Sequence, residues 1–312
     1  MISLLTSFKD FLGDAGRLQD NSLRNWRHLG SDIEIIIYGN GVGVAEKARQ
    51  YCALHIPSIE CSPAGIPRFD KLVDHATRHA KHDRQLYLNG DILLPPNLSQ
   101  QINRMPSKRF LMVGQRIDLS ENSSFNPVAP NWVGKIRQLE KLNQLRLAPP
   151  SYTDYFIFPR GLWTGLAPVT IGRGGYDNAL IAYCLRHRIP IYNATRVLHV
   201  VHQWHGYGHI KGAFNAAYFG VDATANRCIH DIEHSPPDLA DADWEMFQNK
   251  ILIKKLTLNI ALRKFEVTAR YRFGWKYPSY ILRAMDLALK RVLVRPDHVS
   301  LSSILTSNES SG

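Results

Sequence analysis

The stretch of sequence that decides the fold is Leu86–Leu94, which reads LYLNGDILL. Its first residues form a continuous apolar run, as in a strand that is buried on both faces of a sheet. Short polar residues around Gly90 interrupt the run, which then resumes. We therefore expect a strand that ends at Leu88 and places the carboxylate of Asp91 in a cleft. Gly90 has no side chain and would let a metal ion or a phosphate approach the backbone closely.

A carboxylate at a strand end has two interpretations. Divalent cations that also hold a diphosphate take oxygen ligands, usually only one or two of them from the protein. Many α/β proteins, however, place an aspartate at a strand end without binding a metal. The role of Asp91 therefore depends on the rest of the chain.

Apolar runs alternate with helical patterns before this stretch. Strands are predicted at Ile2–Phe8, Ile33–Tyr38 and His55–Ile59, and helices at Asn21–Leu29, Val44–Cys52 and Phe69–Ala80. The alternation indicates βαβ units in a mixed, mainly parallel sheet flanked by helices, which is an α/β fold. Ligands of such sheets bind outside the carboxyl ends of the strands. We expect Thr6, Ser7 and Phe8 to share that edge with Asn89 and Asp91.

The second half of the chain is less regular. Strands are predicted at Phe110–Val113, Asp154–Phe158, Ile189–Tyr192 and Val197–Val201, and helices at Trp132–Leu147 and Asp177–His187. After Pro237 the composition changes to helices rich in lysine and arginine. We therefore predict an α/β domain over residues 1–235, a basic helical appendage over 236–300 and a polar tail over 301–312.

The composition, 45% hydrophobic and 21% charged, is that of a soluble globular protein. The four cysteines show neither metal-ligand spacing nor a disulfide framework. The N-terminal segment lacks the basic flank of a signal peptide, and no apolar run reaches the roughly 18 residues of a membrane span. These features predict a cytoplasmic protein.

The formal net charge is +11, and most of the excess lies near the C-terminus. Lys250–Arg295 carries twelve lysines and arginines against Glu266 and Asp286, with aromatic residues among them. Basic amphipathic helices with aromatics suit an anionic membrane surface, so peripheral association at the inner face of the cell membrane is one expectation. The alternative is a solvated appendage that packs on the core or on a second subunit. Nucleic-acid binding is disfavoured because the segment has no recognition motif.

Histidines cluster at the end of the predicted strand Val197–Val201. His199, His202, His205 and His209 lie within eleven residues, with Trp204 among them. Because the chain has thirteen histidines, chance clustering is one explanation, and a metal-binding or catalytic role for at least one of them is the other. His202 is the best placed for such a role because it follows the strand end.

A glycine-containing turn, Gly172–Tyr176, precedes the predicted helix that begins at Asp177. Asp177 either caps that helix or acts as a general base. The two roles are compatible, because the positive end of the helix dipole favours the ionised carboxylate. Arg116, Asp118 and Asp154 either contact sugar hydroxyls or pair with one another.

Taken in order, these segments resemble the GT-A fold glycosyltransferases, in particular the bacterial family 2-like enzymes that use nucleotide sugars. The resemblance spans about residues 2–212. It rests on SLRNW (22–26), YLNGD (87–91), VGQRID (113–118), DYFIFPRG (154–161), GRGGYDN (172–178) and VHQWH (201–205).

The resemblance implies a nucleotide-sugar donor and a divalent cation, Mn²⁺ or Mg²⁺, that bridges the donor's diphosphate. Asp91 would be a metal ligand and His202 would complete the metal site. The usual motif is Asp-x-Asp, but Asn89 stands at its first position here and would contact the ribose or a metal-bound water. Asp177 would be the base of an inverting transfer.

The resemblance also implies that Thr6, Ser7 and Phe8 face the nucleobase. The remaining candidate substrate contacts are Arg116, Asp118, Asp154, Arg173, Trp204 and His205. The acceptor would be a hydroxyl of a polysaccharide or another glycoconjugate, for example a lipid-linked glycan. Two alternatives stay open. A sugar-nucleotide nucleotidyltransferase would be expected to carry a Gly-rich basic loop after its first strand, and residues 8–13 offer little of it. A non-catalytic binding module on a degenerate transferase fold would explain the missing first aspartate.

Overall fold

The structure, a computed structural model, describes residues 1–106, 108–121, 123–205, 213–254, 258–293 and 300–306. Its strands are, in chain order, β1 (Ile2–Ser7), β2 (Ile33–Tyr38), β3 (Leu54–Ile56), β4 (Arg84–Leu88), β5 (Ile92–Leu93), β6 (Leu111–Val113), β7 (Ile117–Leu119), β8 (Leu145–Leu147), β9 (Tyr155–Pro159), β10 (Ile191–Asn193), β11 (Val201–His202), β12 (Trp244–Met246) and β13 (Ile251–Ile253).

The α-helices are α1 (Gly13–His28), α2 (Val44–Gln50), α3 (Phe69–His79), α4 (Leu98–Ile102), α5 (Trp132–Lys141), α6 (Tyr176–Arg186), α7 (Ala213–Phe219), α8 (Val221–Ile229), α9 (Leu258–Phe273), α10 (Lys276–Leu293) and α11 (Leu301–Thr306). A short 3₁₀ helix covers Leu239–Asp241. Within the described residues, none of these helices is long and apolar enough to cross a bilayer.

The strands form two sheets. The larger sheet has nine strands in the order β13-β12-β10-β6-β9-β4-β1-β2-β3, and all of them except β9 and β13 run in the same direction. The smaller sheet has the order β5-β11-β7-β8. The mixed, mainly parallel α/β sheet predicted from the alternation of strands and helices is therefore confirmed.

Alternate residues of the central strands supply two hydrophobic cores, one on each face of the larger sheet. In β2, Ile36 and Tyr38 belong to one core, and Ile33, Ile35 and Ile37 belong to the other. Successive side chains of a strand point to opposite faces, so a strand that is apolar throughout must be covered on both sides. This explains why Ile33–Tyr38 carries a nearly continuous run of large apolar residues.

Several predicted elements have different bounds in the structure, and the helix expected over Asn21–Leu29 begins earlier, at Gly13. The helix expected over Trp132–Leu147 ends at Lys141, where Asn143 takes a positive φ of 54° and the chain turns into β8. The strand expected over Val197–Val201 is reduced to β11, because the amides of Val197 and Leu198 both bond to the carbonyl of Ala194 in a turn. Apolar composition alone did not distinguish a strand from a buried turn at this place.

Strand pairing continues past the domain boundary expected near residue 235. β12 pairs with β10, and β13 pairs with β12, so residues 244–253 extend the larger sheet. The composition changes before the sheet ends, so β12 and β13 lie beyond the predicted boundary. We propose that the helical appendage consists of α9 and α10, which pack on each other, while α9 also packs on α6.

The polar tail predicted over 301–312 begins as a packed element. Residues 301–306 form α11, and Leu301 and Leu305 join the core beneath α5. Arg137 of α5 donates a hydrogen bond to the carbonyl of Leu305 at 3.1 Å. Residues 307–312 lie outside the described residues.

The space beside Gly90 is filled by an aromatic ring. A Cβ added to Gly90 would lie 2.6 and 2.7 Å from two ring carbons of Phe8. Phe8 in turn stacks on Trp26 with ring centroids 5.9 Å apart and contacts Phe11 edge-on. Phe8 occupies the position that a side chain at residue 90 would take, and the approach of a metal or a phosphate to the Gly90 backbone stays a prediction.

This packing predicts that Gly90→Ala destabilises the protein. The ring of Phe8 is held by Trp26 and Phe11, so the added methyl overpacks the core and costs roughly 1–3 kcal/mol of unfolding free energy. Urea unfolding measures the loss. In the Phe8→Leu background the same change should cost less, because the two positions are in contact. Equal costs in both backgrounds would contradict the assigned clash.

Candidate metal and catalytic site

Strand β11 fixes the position of His202. It pairs antiparallel with β5, which sets His202 opposite Ile92, and parallel with β7, which sets His202 opposite Asp118. The residue before Ile92 is Asp91. Backbone pairing alone therefore places one histidine between two aspartates that are far apart in the sequence.

The side chains of Asp91, His202 and His205 converge. Nε2 of His202 lies 3.5 Å from Oδ2 of Asp91, and Nε2 of His205 lies 3.1 Å from the same oxygen. One ligand atom from each residue lies within 4.8 Å of the others. The sequence predicts Asp91 and His202 as metal ligands and His205 as a substrate contact. The structure brings His205 to Asp91 as well.

The carboxylate of Asp91 has an unused ligand position. Its Oδ1 is buried and has no hydrogen-bond partner within the described part of the chain. Burial would raise the pKa of Asp91, but His202 and His205 hold it well below its usual range. An ionised, unpartnered carboxylate oxygen beside two imidazole nitrogens is a donor set that fits a divalent cation.

Asp118 contacts the other ring nitrogen of His202. Nδ1 of His202 lies 3.2 Å from Oδ1 of Asp118, and this carboxylate also accepts from Nε of Arg116 at 2.7 Å. Burial opposes protonation of His202, but the charge of Asp91 and the bond to Asp118 outweigh it and raise its pKa to about 9. A carboxylate on the second nitrogen of a metal-binding histidine orients the ring and makes it more basic.

Arg116 joins the metal-site carboxylates to Asp154. Its guanidinium pairs with Asp118 and with Oδ2 of Asp154. Oδ1 of Asp154 accepts from the side-chain amide of Asn89 at 2.6 Å, and its backbone carbonyl accepts from the Asn89 amide at 3.1 Å. The sequence left two roles open for Arg116, Asp118 and Asp154, namely contact with sugar hydroxyls and pairing with one another. The structure shows the pairing.

Helix α1 holds the segment that carries Asp91. Asn25 exchanges hydrogen bonds with the backbone of Leu94, at 3.1 Å and 2.7 Å, and the indole of Trp26 donates to the carbonyl of Ile92 at 2.9 Å. Gln203 ties the histidine strand to the same place, since its amide donates to the carbonyl of Asp91 at 3.1 Å. Sequence reasoning missed Gln203, and its position between His202 and His205 was the available signal.

Asp177 lies beside this network, at the start of α6. Gly175 is the N-cap residue, in the left-handed conformation, so the alternative that Asp177 itself caps the helix is wrong. The carboxylate accepts from the amides of Asn178 at 3.1 Å and Thr153 at 3.5 Å. Burial, with a contribution from the charge of Asp154, raises the pKa of Asp177 to about 7. A carboxylate with that pKa can take up and release a proton near neutral pH.

The end of β1 contributes structural contacts. The hydroxyl of Thr6 is buried and donates to the carbonyl of Leu88 at 2.9 Å, so it joins β1 to β4. Phe8 is buried against Trp26, whereas Ser7 is half-buried at the strand end. The predicted contact of Thr6, Ser7 and Phe8 with a nucleobase stays a prediction.

The remaining candidates differ in their surroundings. Arg173 bonds to the carbonyl of Gly172 in the loop before α6, and Trp204 is 39% exposed beside His205. Their predicted contacts with substrate stay predictions. His199 is buried away from Asp91, and burial lowers its pKa to about 4, so it is a neutral core histidine. His209 lies outside the described residues.

Comparison with solved structures identifies the fold. The chain resembles residues 1–349 of Staphylococcus aureus TarS, solved in complex with UDP-GlcNAc, with a TM-score of 0.50 and 10% identity over 92% of this chain and 79% of that one. With the sheet topology, this similarity confirms the GT-A α/β fold expected from the sequence.

Two other solved structures are more weakly similar. One is the mannosyltransferase PcManGT from Pyrobaculum calidifontis with GDP-Man and Mn²⁺, at a TM-score of 0.47 and 11% identity over 99% of this chain and 79% of that one. The other is glucosyl-3-phosphoglycerate synthase from Mycobacterium tuberculosis with Mn²⁺, UDP-Glc and phosphoglyceric acid. Its TM-score is 0.45, with 12% identity over 83% of this chain and 88% of that one. No family model and no curated protein matches this chain.

The converging donors predict that Mn²⁺ stabilises the protein. At a concentration about 100 times its Kd, a ligand of the native state adds about 2.7 kcal/mol, which corresponds to a rise in Tm of roughly 5 °C for a chain of this size. Asp91→Asn should abolish the rise, because it removes the charged ligand. Thermal unfolding measures it. The control is Asp14→Asn, at an exposed aspartate of α1. A rise that persists in Asp91→Asn would contradict the site.

Asp118→Asn tests the orienting role of that carboxylate. The substitution leaves all three metal donors in place but weakens the hold on the His202 ring, so we expect a 10- to 100-fold increase in the Kd for Mn²⁺. Isothermal titration calorimetry measures the Kd. An unchanged Kd would show that Asp118 serves only the packing of β7.

Proposed function

We propose that this protein is a metal-assisted glycosyltransferase. It transfers a sugar from a nucleotide-sugar donor to an acceptor hydroxyl. The observation that carries the proposal is the Asp91 carboxylate beside His202 and His205, at a strand end of a GT-A fold, with an Oδ1 that has no hydrogen-bond partner among the described residues. The TarS structure with the same fold holds UDP-GlcNAc, which supports a donor of this class.

Asp91, His202 and His205 would hold the divalent cation. When bound, the cation offsets the negative charge that develops on the leaving nucleoside diphosphate. Two imidazoles beside one carboxylate favour Mn²⁺ over Mg²⁺, because Mg²⁺ prefers oxygen ligands in a strict octahedron. In this proposal Asp118 is a positioning residue for His202 and not a contact for a sugar hydroxyl.

Asn89 takes a different role from the aspartate that usually stands at its position. Its side-chain amide donates to Asp154, which is itself paired with Arg116. We propose that Asn89 places its remaining amide oxygen toward the donor ribose or a cation-bound water. An aspartate at residue 89 would place its carboxylate against that of Asp154, and the amide of Asn89 avoids this repulsion.

Asp177 is the proposed base. Its ionised carboxylate would accept the proton of the acceptor hydroxyl. A pKa of about 7 suits a general base that works near neutral pH. A single base suffices for in-line attack on the donor, so we propose an inverting reaction. Arg173, Trp204 and the end of β1 are the proposed contacts for the sugar, the acceptor and the nucleobase.

The proposed acceptor is a polysaccharide or another glycoconjugate, such as a lipid-linked glycan. We propose that the reaction takes place in the cytoplasm at the inner face of the cell membrane. The support is the basic character of Lys250–Arg295, which suits a surface that carries anionic lipid.

Replacement of the base should abolish turnover without abolishing donor binding. For Asp177→Asn we expect a kcat about 10² to 10⁴ times lower, because the amide cannot accept the proton. Release of the nucleoside diphosphate from a panel of nucleotide sugars measures turnover, and calorimetry with Mn²⁺ measures binding. Asp14→Asn is the matched control. Donor binding with no turnover in the wild type would instead indicate a binding module.

The pH profile tests the same residue. Only ionised Asp177 is active, so kcat/KM should rise about tenfold per pH unit below pH 7 and level off above it. Asp154→Asn removes one cause of the raised pKa and should move this limb to lower pH. Because metal affinity also depends on pH, the limb must stay in place when the Mn²⁺ concentration is raised severalfold. A limb that follows the Mn²⁺ concentration would contradict the assignment to Asp177.

A further inference from the structure

The turn between α9 and α10 presents a group of exposed aromatic and basic side chains. Residues 272–278 read RFGWKYP, and all of them are exposed. Gly274 has a positive φ of 68°, and the amide of Trp275 closes the turn by donating to the carbonyl of Ala269 at 2.8 Å. The turn is therefore ordered by its own hydrogen bonds. It holds the rings of Phe273 and Trp275 side by side, with centroids 5.2 Å apart.

The acidic residues of this hairpin do not reach its surface. Among its described side chains, Glu266 and Asp286 are the acids, and both are fully buried. Glu266 pairs with Arg263, and Asp286 lies 3.4 Å from Arg283. The exposed charges of the turn, Arg272 and Lys276, are positive, and Nζ of Lys276 also lies 3.4 Å from Oδ1 of Asp231, outside the hairpin.

Large apolar side chains continue this surface along α9 and α10. Tyr277 is 83% exposed and Trp275 is 56% exposed. Others that remain exposed are Phe265, Phe273, Ile281 and Met285. A group of exposed apolar residues of this kind marks an interaction site more often than a solvated surface.

A basic cavity adjoins the turn. Its volume is about 330 Å³, and Arg188, Lys264 and Arg272 line it together with Asp243 and exposed Ile253. Asp243 accepts from the amide of Ile191 at 3.1 Å through one oxygen, and its other oxygen lies 3.8 Å from Nζ of Lys264. The cavity is continuous with the turn through Arg272, and its cations outnumber its acid.

We propose that the turn 272–278 and this cavity form a docking surface for an anionic lipid bilayer. The aromatic rings enter the interfacial region, Arg272 and Lys276 pair with anionic headgroups, and the cavity accommodates one headgroup beside Arg188 and Lys264. An apolar group surrounded by cations fits a membrane interface, where rings with one polar end lie at headgroup depth. This extends the proposed function by stating which face meets the acceptor-bearing surface, and binding itself requires no catalysis.

Vesicle sedimentation tests the proposal on the full-length protein without nucleotide or metal. The probes are vesicles of phosphatidylcholine alone and of phosphatidylcholine with phosphatidylglycerol. We expect sedimentation with the anionic vesicles only, and a loss of binding at high salt. Lys276→Glu should lower the partition coefficient by roughly 10-fold or more, since each cation near an anionic surface is worth roughly fivefold and the substitution changes the charge by two.

The aromatic contribution has a matched control. Phe273→Ala with Trp275→Ala should also lower the partition coefficient, whereas Phe219→Ala, at an exposed aromatic of α7, should not. The proposal would be overturned if the wild type bound neutral and anionic vesicles equally, or bound neither. It would also be overturned if the variants bound anionic vesicles as well as the wild type does. Stronger binding to an RNA oligonucleotide that the same variants lose would overturn it too, by assigning the face to nucleic acid. Donor hydrolysis without vesicles tests the proposed function separately. The docking surface and the transferase function can therefore be refuted independently of each other.

Discussion

The pairing of the two-residue strand β11 is the constraint on which the candidate site depends. Pairing with β5 on one side and β7 on the other fixes the register of β11. A shift of one residue would turn the His202 side chain to the opposite face of the sheet. The same register sets Val201 into the apolar core beneath α5. The favourable burial of Val201 therefore also stabilises the register that holds His202 between Asp91 and Asp118. A site placed by backbone pairing is held more rigidly than one placed on loops.

The charges around His202 form a connected network that is preorganised for a cation. Arg116 binds Asp118 and Asp154, Asp118 holds one nitrogen of His202, and the other nitrogen faces Asp91. Removal of one partner from such a buried pair leaves an uncompensated charge, which typically costs about 3–5 kcal/mol. These neighbours hold the pKa values of Asp91 and Asp118 below their usual range. A cation bound at Asp91 would take the place of the proton on His202, so the network stays balanced with the metal or without it.

Local sequence was sufficient to predict features that depend on neighbouring residues. The C-terminal end of β4 at Leu88 and, to within one residue, the start of α6 could be predicted because the apolar run before Asn89 and the glycines before Tyr176 mark them directly. The partnership of Asp91 with His205, the contact of Gln203 with the Asp91 backbone and the filling of the Gly90 position by Phe8 could not. They join residues that are far apart in sequence through tertiary packing. For the same reason β12 and β13 were assigned to the appendage, since composition reports local polarity and not the partner of an edge strand.

We propose that Asp91, His202 and His205 hold the cation of a nucleotide-sugar donor. Anomalous diffraction at the manganese absorption edge, from crystals grown with Mn²⁺ and a nucleoside diphosphate, tests this metal site. We expect one strong anomalous peak within coordination distance of the Asp91 carboxylate and both histidine Nε2 atoms, with the diphosphate bound to the same ion. A nucleotide bound elsewhere in the fold, or a peak that these three side chains do not touch, would contradict it.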